Sequence, residues 1–82
     1  MDENRIKRLR WRTRRGTREL DALLGDWLEE RFSHADEAQR EAFDSLLDVQ
    51  DPVLWDWIMG RACADRPEWQ VIIDDIRARH RV

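Results

Sequence analysis

Apolar residues recur along most of the chain at the three- and four-residue spacing that is typical of amphipathic helices. The clearest stripe comprises Leu20, Leu23, Leu24, Trp27 and Leu28. No segment alternates apolar and polar residues on both sides of a hairpin turn, so strands are not expected. The pattern therefore predicts a fold built from helices.

Three later helices are predicted by further stripes and by their start signals. Asp36 followed by Gln39 three residues later is typical of a capped helix start. The pair Asp51-Pro52 predicts a second start, with Asp51 as the N-cap, and Pro67 predicts a third. The residues expected to face inward are Ala42, Phe43, Leu46 and Leu47, then Val53, Leu54, Trp57 and Ile58, and finally Trp69, Ile72, Ile73 and Ile76.

The first segment predicts a short basic helix over residues 4–13. Ile6, Leu9 and Thr13 lie near one face, and Trp11 is expected to anchor the helix on the rest of the protein. Gly16 interrupts the pattern and suits a left-handed backbone conformation. The interpretation is an all-α fold, a small single-domain bundle of five helices that spans residues 1–82.

Charge is distributed unevenly along the 82 residues, although the net charge is only −3. Residues 4–18 contain eight basic residues and no acidic one, whereas residues 19–82 contain 7 basic and 16 acidic residues. A basic arm suits nucleic acid, an acidic membrane surface or an acidic patch on a protein. Because every later helix is acidic, nucleic-acid binding ranks behind protein binding. An antitoxin-like regulatory interaction protein is a third, weaker alternative.

Several chemistries lack the residues that they need. The single Cys63 cannot form an internal disulfide, and with two scattered histidines it makes no metal-ligand pattern. No histidine is placed to activate this thiol, so we expect it to be inert and the protein not to be an enzyme. No run is long and apolar enough to cross a bilayer. These features indicate a cytoplasmic protein without membrane insertion, and we expect a monomer when it is free.

The segment Arg15-Gly16-x-x-Glu19 stands at the charge boundary and allows two interpretations. In the first it is a helix junction with an exposed Arg15–Glu19 pair, which contributes a few tenths of a kcal/mol at most. In the second it is a docking site, because arginine offers a rigid fork of donors, glycine permits close approach and glutamate accepts a partner's donor. Physical chemistry alone favours the first interpretation.

The run RWRTRRGTRELD (residues 10–21) resembles the start of the succinate dehydrogenase assembly factor family of the bacterial SdhE type. That family is marked by an Arg-Gly-x-x-Glu motif followed by Leu-Asp. The likeness continues through FDSLL (residues 43–47) and DPVLWDW (residues 51–57) and covers about residues 5–76.

This resemblance implies a five-helix assembly factor that binds the flavoprotein subunit of succinate dehydrogenase, with the related fumarate reductase subunit as a further candidate. It also implies that the protein promotes covalent attachment of FAD to a histidine of that partner. FAD then belongs to the partner, and the chain has no cofactor of its own. The resemblance places Arg15, Gly16 and Glu19 on the docking surface. The expected neighbours on that surface are Arg8, Trp11, Arg14 and Asp21.

Overall fold

The computed structural model describes residues 3–80, which form five α-helices joined by short connections. The helices are α1 (Glu3–Arg12), α2 (Arg18–Glu30), α3 (Glu37–Leu46), α4 (Asp51–Ile58) and α5 (Pro67–His80), with a short 3-10 helix (Phe32–His34) after α2. None of the described residues belongs to a strand, so the predicted all-α fold with five helices is confirmed. Residues 1, 2, 81 and 82 of the predicted domain lie outside the described range.

The predicted stripes meet in one apolar core. Helix α5 packs against α2, α3 and α4, and α1 packs against α2. All five residues of the α2 stripe are buried, and Trp27 stacks on Phe43 of α3 with 4.6 Å between ring centroids. Leu9 brings α1 into the same core. A small bundle stabilised in this way presents rigid helices on which surface residues are held in place.

Helix starts follow the prediction in one case and depart from it in another. The Asp36 carboxylate accepts a hydrogen bond from the Gln39 backbone N–H at 2.8 Å, which confirms the predicted cap. Gln50, not Asp51, is the N-cap residue of α4, so that prediction is wrong by one position. Gln50 takes this position because its carbonyl accepts the first helical hydrogen bond, from the Leu54 N–H at 3.0 Å, and the Asp51 carboxylate in the first turn accepts a hydrogen bond from the side chain of Arg15.

One predicted core residue of α4 lies at the surface. Val53 is 41% exposed, whereas Leu54, Trp57 and Ile58 are buried. Those three residues follow the i, i+3, i+4 spacing of a single face, and Val53 lies one position before that face begins. An eight-residue helix that packs against α5 buries only this one face.

Candidate docking surface

The connection between α1 and α2 turns at Gly16. This residue has a φ of +86°, a left-handed conformation that favours glycine, and a Cβ placed on it would meet no atom within 4 Å. The connection is held from α2, since the Asp21 carboxylate accepts a hydrogen bond from the Arg15 backbone N–H. Asp21 is thus partly buried and hydrogen-bonded within the chain, whereas Gly16 is exposed to solvent.

Arg15 points into the protein and not toward solvent. Its side chain is only 13% exposed, and its Nε donates to the Asp51 carboxylate at 2.7 Å. Its two terminal nitrogens donate to the carbonyl oxygens of Leu47 and Val49. Those carbonyls follow the end of α3, where backbone acceptors lack partners inside the helix. The planar fork of arginine satisfies several acceptors at once, so Arg15 ties the α1–α2 connection to the α3–α4 connection.

Two more arginines of the basic arm fasten α1 onto α3. Arg12 donates to the carboxylates of Asp44 and Asp48, and Arg5 pairs with Glu37 at 2.9 Å. These contacts explain why α1 forms a helix although its apolar face is thin. Much of the arm's positive charge is used against the acidic helices of the same chain.

Arg10 is engaged on the other side of α1. Its Nε lies 2.6 Å from Glu29 Oε1 in α2, and a second nitrogen donates to the other carboxylate oxygen. This hydrogen bonding lowers the pKa of Glu29 and, with the attraction between the charges, raises the pKa of Arg10. Both groups are thus charged at neutral pH, and the pair closes the α1–α2 contact at the surface.

The other predicted site residues remain exposed. Gly16, Glu19, Arg8 and Arg14 are exposed, and the Glu19 side chain has no hydrogen bond or ion pair within residues 3–80. The Arg15–Glu19 pair is therefore absent from the described structure, because Arg15 is committed to Asp51 and two carbonyls. The motif divides into an inward arginine and an outward glycine and glutamate.

Trp11 does not anchor α1, and that prediction is wrong. Its side chain is 73% exposed. Leu9 is the residue that enters the core, and Trp11 comes two positions later, about 200° further round the helix. The Arg14 guanidinium lies over the exposed indole, 5.3 Å from the ring centroid. Trp11 is thus available to a partner.

Lys7 is a surface residue that was not among the predicted ones. It lies four positions before Trp11, which places both on one side of α1, and Arg14 follows two residues after the end of that helix. With Arg10 they line a shallow hollow of about 200 Å³. The i, i+4 spacing of Lys7 and Trp11 is the sequence signal for the helical part of this surface.

The exposed residues of this candidate docking surface suit the recognition of a partner. Within residues 3–80, His, Cys, Asp and Glu side chains do not come together in groups of three that could hold a metal ion. None of the described helices is long and apolar enough to cross a membrane. The exposed residues between Lys7 and Glu19 instead include a carboxylate acceptor, an aromatic ring and cations, a mixture that protein interfaces commonly contain.

Comparison with known proteins gives consistent matches over nearly the whole chain. Residues 7–80 match the family model Sdh5, described as "Flavinator of succinate dehydrogenase". The chain is 43% identical to the FAD assembly factor SdhE of Xylella fastidiosa (strain 9a5c) over 79 residues, covering 95% of this chain and 81% of that protein. It is 41% identical to the FAD assembly factor SdhE of Coxiella burnetii over 71 residues, which cover 87% of each chain. No solved structure gives a significant match.

Proposed function

The chain belongs to the family described as the flavinator of succinate dehydrogenase, and we propose from this premise that it is an FAD assembly factor for the flavoprotein subunit of that enzyme. It binds the subunit and promotes covalent attachment of FAD to it. The FAD is the partner's cofactor, and the assembly factor acts as a binding protein and not as an enzyme.

The observation that carries this proposal is the exposure of Gly16 and Glu19. Both belong to the family motif, yet neither has a contact that the fold requires, since Glu19 is unpaired within residues 3–80 and Gly16 faces open space. A glycine without a side chain lets a partner's backbone come close. A glutamate beside it accepts hydrogen bonds from that backbone or from a partner's side chain.

We propose that docking acts by selecting a conformation of the partner. Covalent attachment requires the accepting histidine to be held against the flavin, and correct orientation can contribute on the order of 7–11 kcal/mol in favourable cases. A rigid bundle that binds only the competent arrangement increases the population of that arrangement. The effect is limited by the difference in affinity for the two arrangements, so the assembly factor should bind the finished subunit more weakly.

Arg15 and Asp21 have a different role in this proposal from that of Gly16 and Glu19. Arg15 and Asp21 hold the connection in shape, and so present Gly16 and Glu19 to the partner. Arg8 and Trp11 of α1, and Arg14 just after its end, extend the same surface. We also propose that the protein works as a cytoplasmic monomer and that the related flavoprotein subunit of fumarate reductase uses the same surface.

Ion pairs within the chain weaken the case for nucleic-acid binding. Of the eight basic residues in the arm, Arg5, Arg10, Arg12 and Arg15 form ion pairs with acidic residues of this chain. Nucleic-acid binding depends on many cations that are free to contact phosphates. The arm therefore offers a polyanion about half of the contacts that its sequence suggests.

Replacing Glu19 with alanine tests the proposed function. Because a hydrogen bond to a charged group is worth about 1.5–3 kcal/mol, we expect affinity for the flavoprotein subunit to fall about 10- to 100-fold. Covalent FAD attachment should fall with it, as measured by flavin fluorescence of the denatured subunit.

Glu30→Ala is the matched control. Glu30 lies on the same helix, is exposed and has no ion pair within residues 3–80. The Glu30→Ala variant should leave both the affinity for the flavoprotein subunit and the covalent attachment of FAD unchanged. Unaltered FAD attachment with Glu19→Ala in cells that lack the native protein would contradict the proposed function.

A further inference from the structure

The outer face of α1, defined as Lys7 and Trp11 of that helix together with Arg14 just beyond its end, makes no contact that ties it to the rest of the described fold. Lys7 and Arg14 are exposed and have no ion pair within residues 3–80. The Trp11 side chain is 73% exposed although tryptophan is costly to leave in water. Large exposed aromatics beside arginine are typical of residues that dominate binding energy at protein interfaces.

The hydrogen-bonding state of the tryptophans separates Trp11 from two others. The indole N–H of Trp27 donates to Asp75 and that of Trp69 donates to Ser45, both at 2.9 Å. The indole N–H groups of Trp11, Trp55 and Trp57 have no acceptor within residues 3–80, and of these three tryptophans only Trp11 is exposed. An indole N–H is a donor only, so the partner group that completes it is an acceptor.

The guanidinium of Arg14 is the cation that lies beside the Trp11 indole. It lies 5.3 Å from the centre of the Trp11 ring, where the negative face of the ring attracts it. Trp11 and Arg14 line the same hollow, which Lys7 also lines. Three donors around a hollow of about 200 Å³ match the size and charge of one or two carboxylates.

We propose that the outer face of α1 binds a surface segment of the flavoprotein subunit that carries adjacent carboxylates, with Trp11, Arg14 and Lys7 as the donors. This inference rests on the proposed function and adds the chemistry of the partner's surface. The contact around Gly16 and Glu19 then supplies an acceptor, and the outer face of α1 supplies cations. Opposite charges at two places set the orientation of docking and increase its rate.

A local acidic segment suits this face better than an extended polyanion. Glu3 lies four residues before Lys7 in the same row of α1, and Glu29 holds Arg10 at the edge of the hollow. A lipid surface or a nucleic acid spreads its negative charge over a wide area and would meet these carboxylates as well. A protein segment with two carboxylates meets only the donors.

The test measures the dissociation constant for the succinate dehydrogenase flavoprotein subunit whose FAD is not yet covalently attached. Trp11→Ala should weaken binding about 30-fold, as expected for a central aromatic at an interface. Arg14→Glu should weaken it about 10-fold at about 50 mM salt and less at about 300 mM, because salt screens the attraction. Circular dichroism should show both variants folded, since neither residue is buried.

Arg66→Glu is the matched control for the charge change. Arg66 also lies over a tryptophan, 4.8 Å from the Trp69 ring, but in the connection between α4 and α5. This variant removes the same charge and a similar ring contact, and should leave binding unchanged. Equal weakening by Arg66→Glu and Arg14→Glu would mean that net charge alone controls binding, and would overturn the inference.

Two further results would also overturn it. One is an unchanged dissociation constant for Trp11→Ala and Arg14→Glu, and in that case a loss of binding with Glu19→Ala still supports the proposed function. The other is binding of the native protein to phosphatidylglycerol vesicles or to a single-stranded DNA oligonucleotide that Arg14→Glu abolishes. We expect neither of those probes to bind at about 150 mM salt.

Discussion

Replacing Arg15 with alanine is expected to lower the free energy of unfolding by about 3 kcal/mol, because a mostly buried ion pair and several charged hydrogen bonds are lost together. The variant leaves the Leu47 and Val49 carbonyls without their donor and leaves Asp51 without its counter-charge. A domain of this size has a total stability of roughly 4–12 kcal/mol. The melting temperature should therefore fall by about 12–24 °C, as measured by circular dichroism.

Two variants test whether the guanidinium fork is responsible. Arg15→Lys keeps the charge but offers a single ammonium, which cannot reach all three acceptors, so it should recover less than half of the lost stability. Arg18→Ala removes an exposed arginine that has no ion pair within residues 3–80, and should change stability by about 0.5 kcal/mol or less. An Arg15→Ala protein as stable as the native one would show that these contacts do not hold the fold.

This expectation alters how a loss of function at Arg15 should be interpreted. By resemblance, Arg15 belongs to the docking motif, but its donors are engaged inside the protein. A failure of FAD attachment in Arg15 variants would then follow from a displaced connection and not from a lost contact with the partner. Measuring stability and partner affinity in the same variant separates the two causes.

Gly16→Arg is expected to abolish covalent FAD attachment while the bundle stays folded. A Cβ at this position meets no atom within 4 Å, so the fold has room for the new side chain. The φ of +86° makes any L side chain strained, at a cost of about 1–2 kcal/mol. The larger effect is on docking, because the arginine projects into the space that a partner would occupy. Attachment in cells and melting temperature are the two measurements.

Gly60 provides a matched control for backbone strain. It has a φ of +80°, and a Cβ there would lie 2.8 Å from an Arg77 terminal nitrogen, so Gly60→Ala is strained and more crowded than a substitution at Gly16. It should keep attachment although it loses stability. Gly16→Asn, which tolerates the left-handed conformation, should lose less attachment than Gly16→Arg. Normal attachment with Gly16→Arg would remove Gly16 from the docking surface.

Much of the fold could be predicted from the amino-acid sequence alone, because helical stripes and caps depend on residues that lie close together in the chain. The stripes of α2, α3 and α5 follow helical spacing, and every residue predicted to be inside on those three helices is buried. The Asp36 cap depends on a residue three positions away and was predictable for the same reason. The local pattern did not reveal the partner of the Asp51 side chain, because that partner, Arg15, lies 36 residues away in the chain.

The family motif and its charge boundary are properties of the sequence, and they were sufficient to identify the family and to propose a docking segment. The tertiary structure decided which of those residues are exposed to solvent. Arg15 is separated by 36 residues from Asp51, and its direction depends on where α3 ends and α4 begins. Composition gives the number of charges but not their positions in the fold. The packed bundle pairs Arg5, Arg10 and Arg12 of α1, and Arg15 of the following connection, with acidic residues of the other helices and connections. Only the packed bundle therefore distinguishes the inward Arg15 from the outward Gly16, Glu19 and Trp11, because burial and pairing arise from contacts between distant segments.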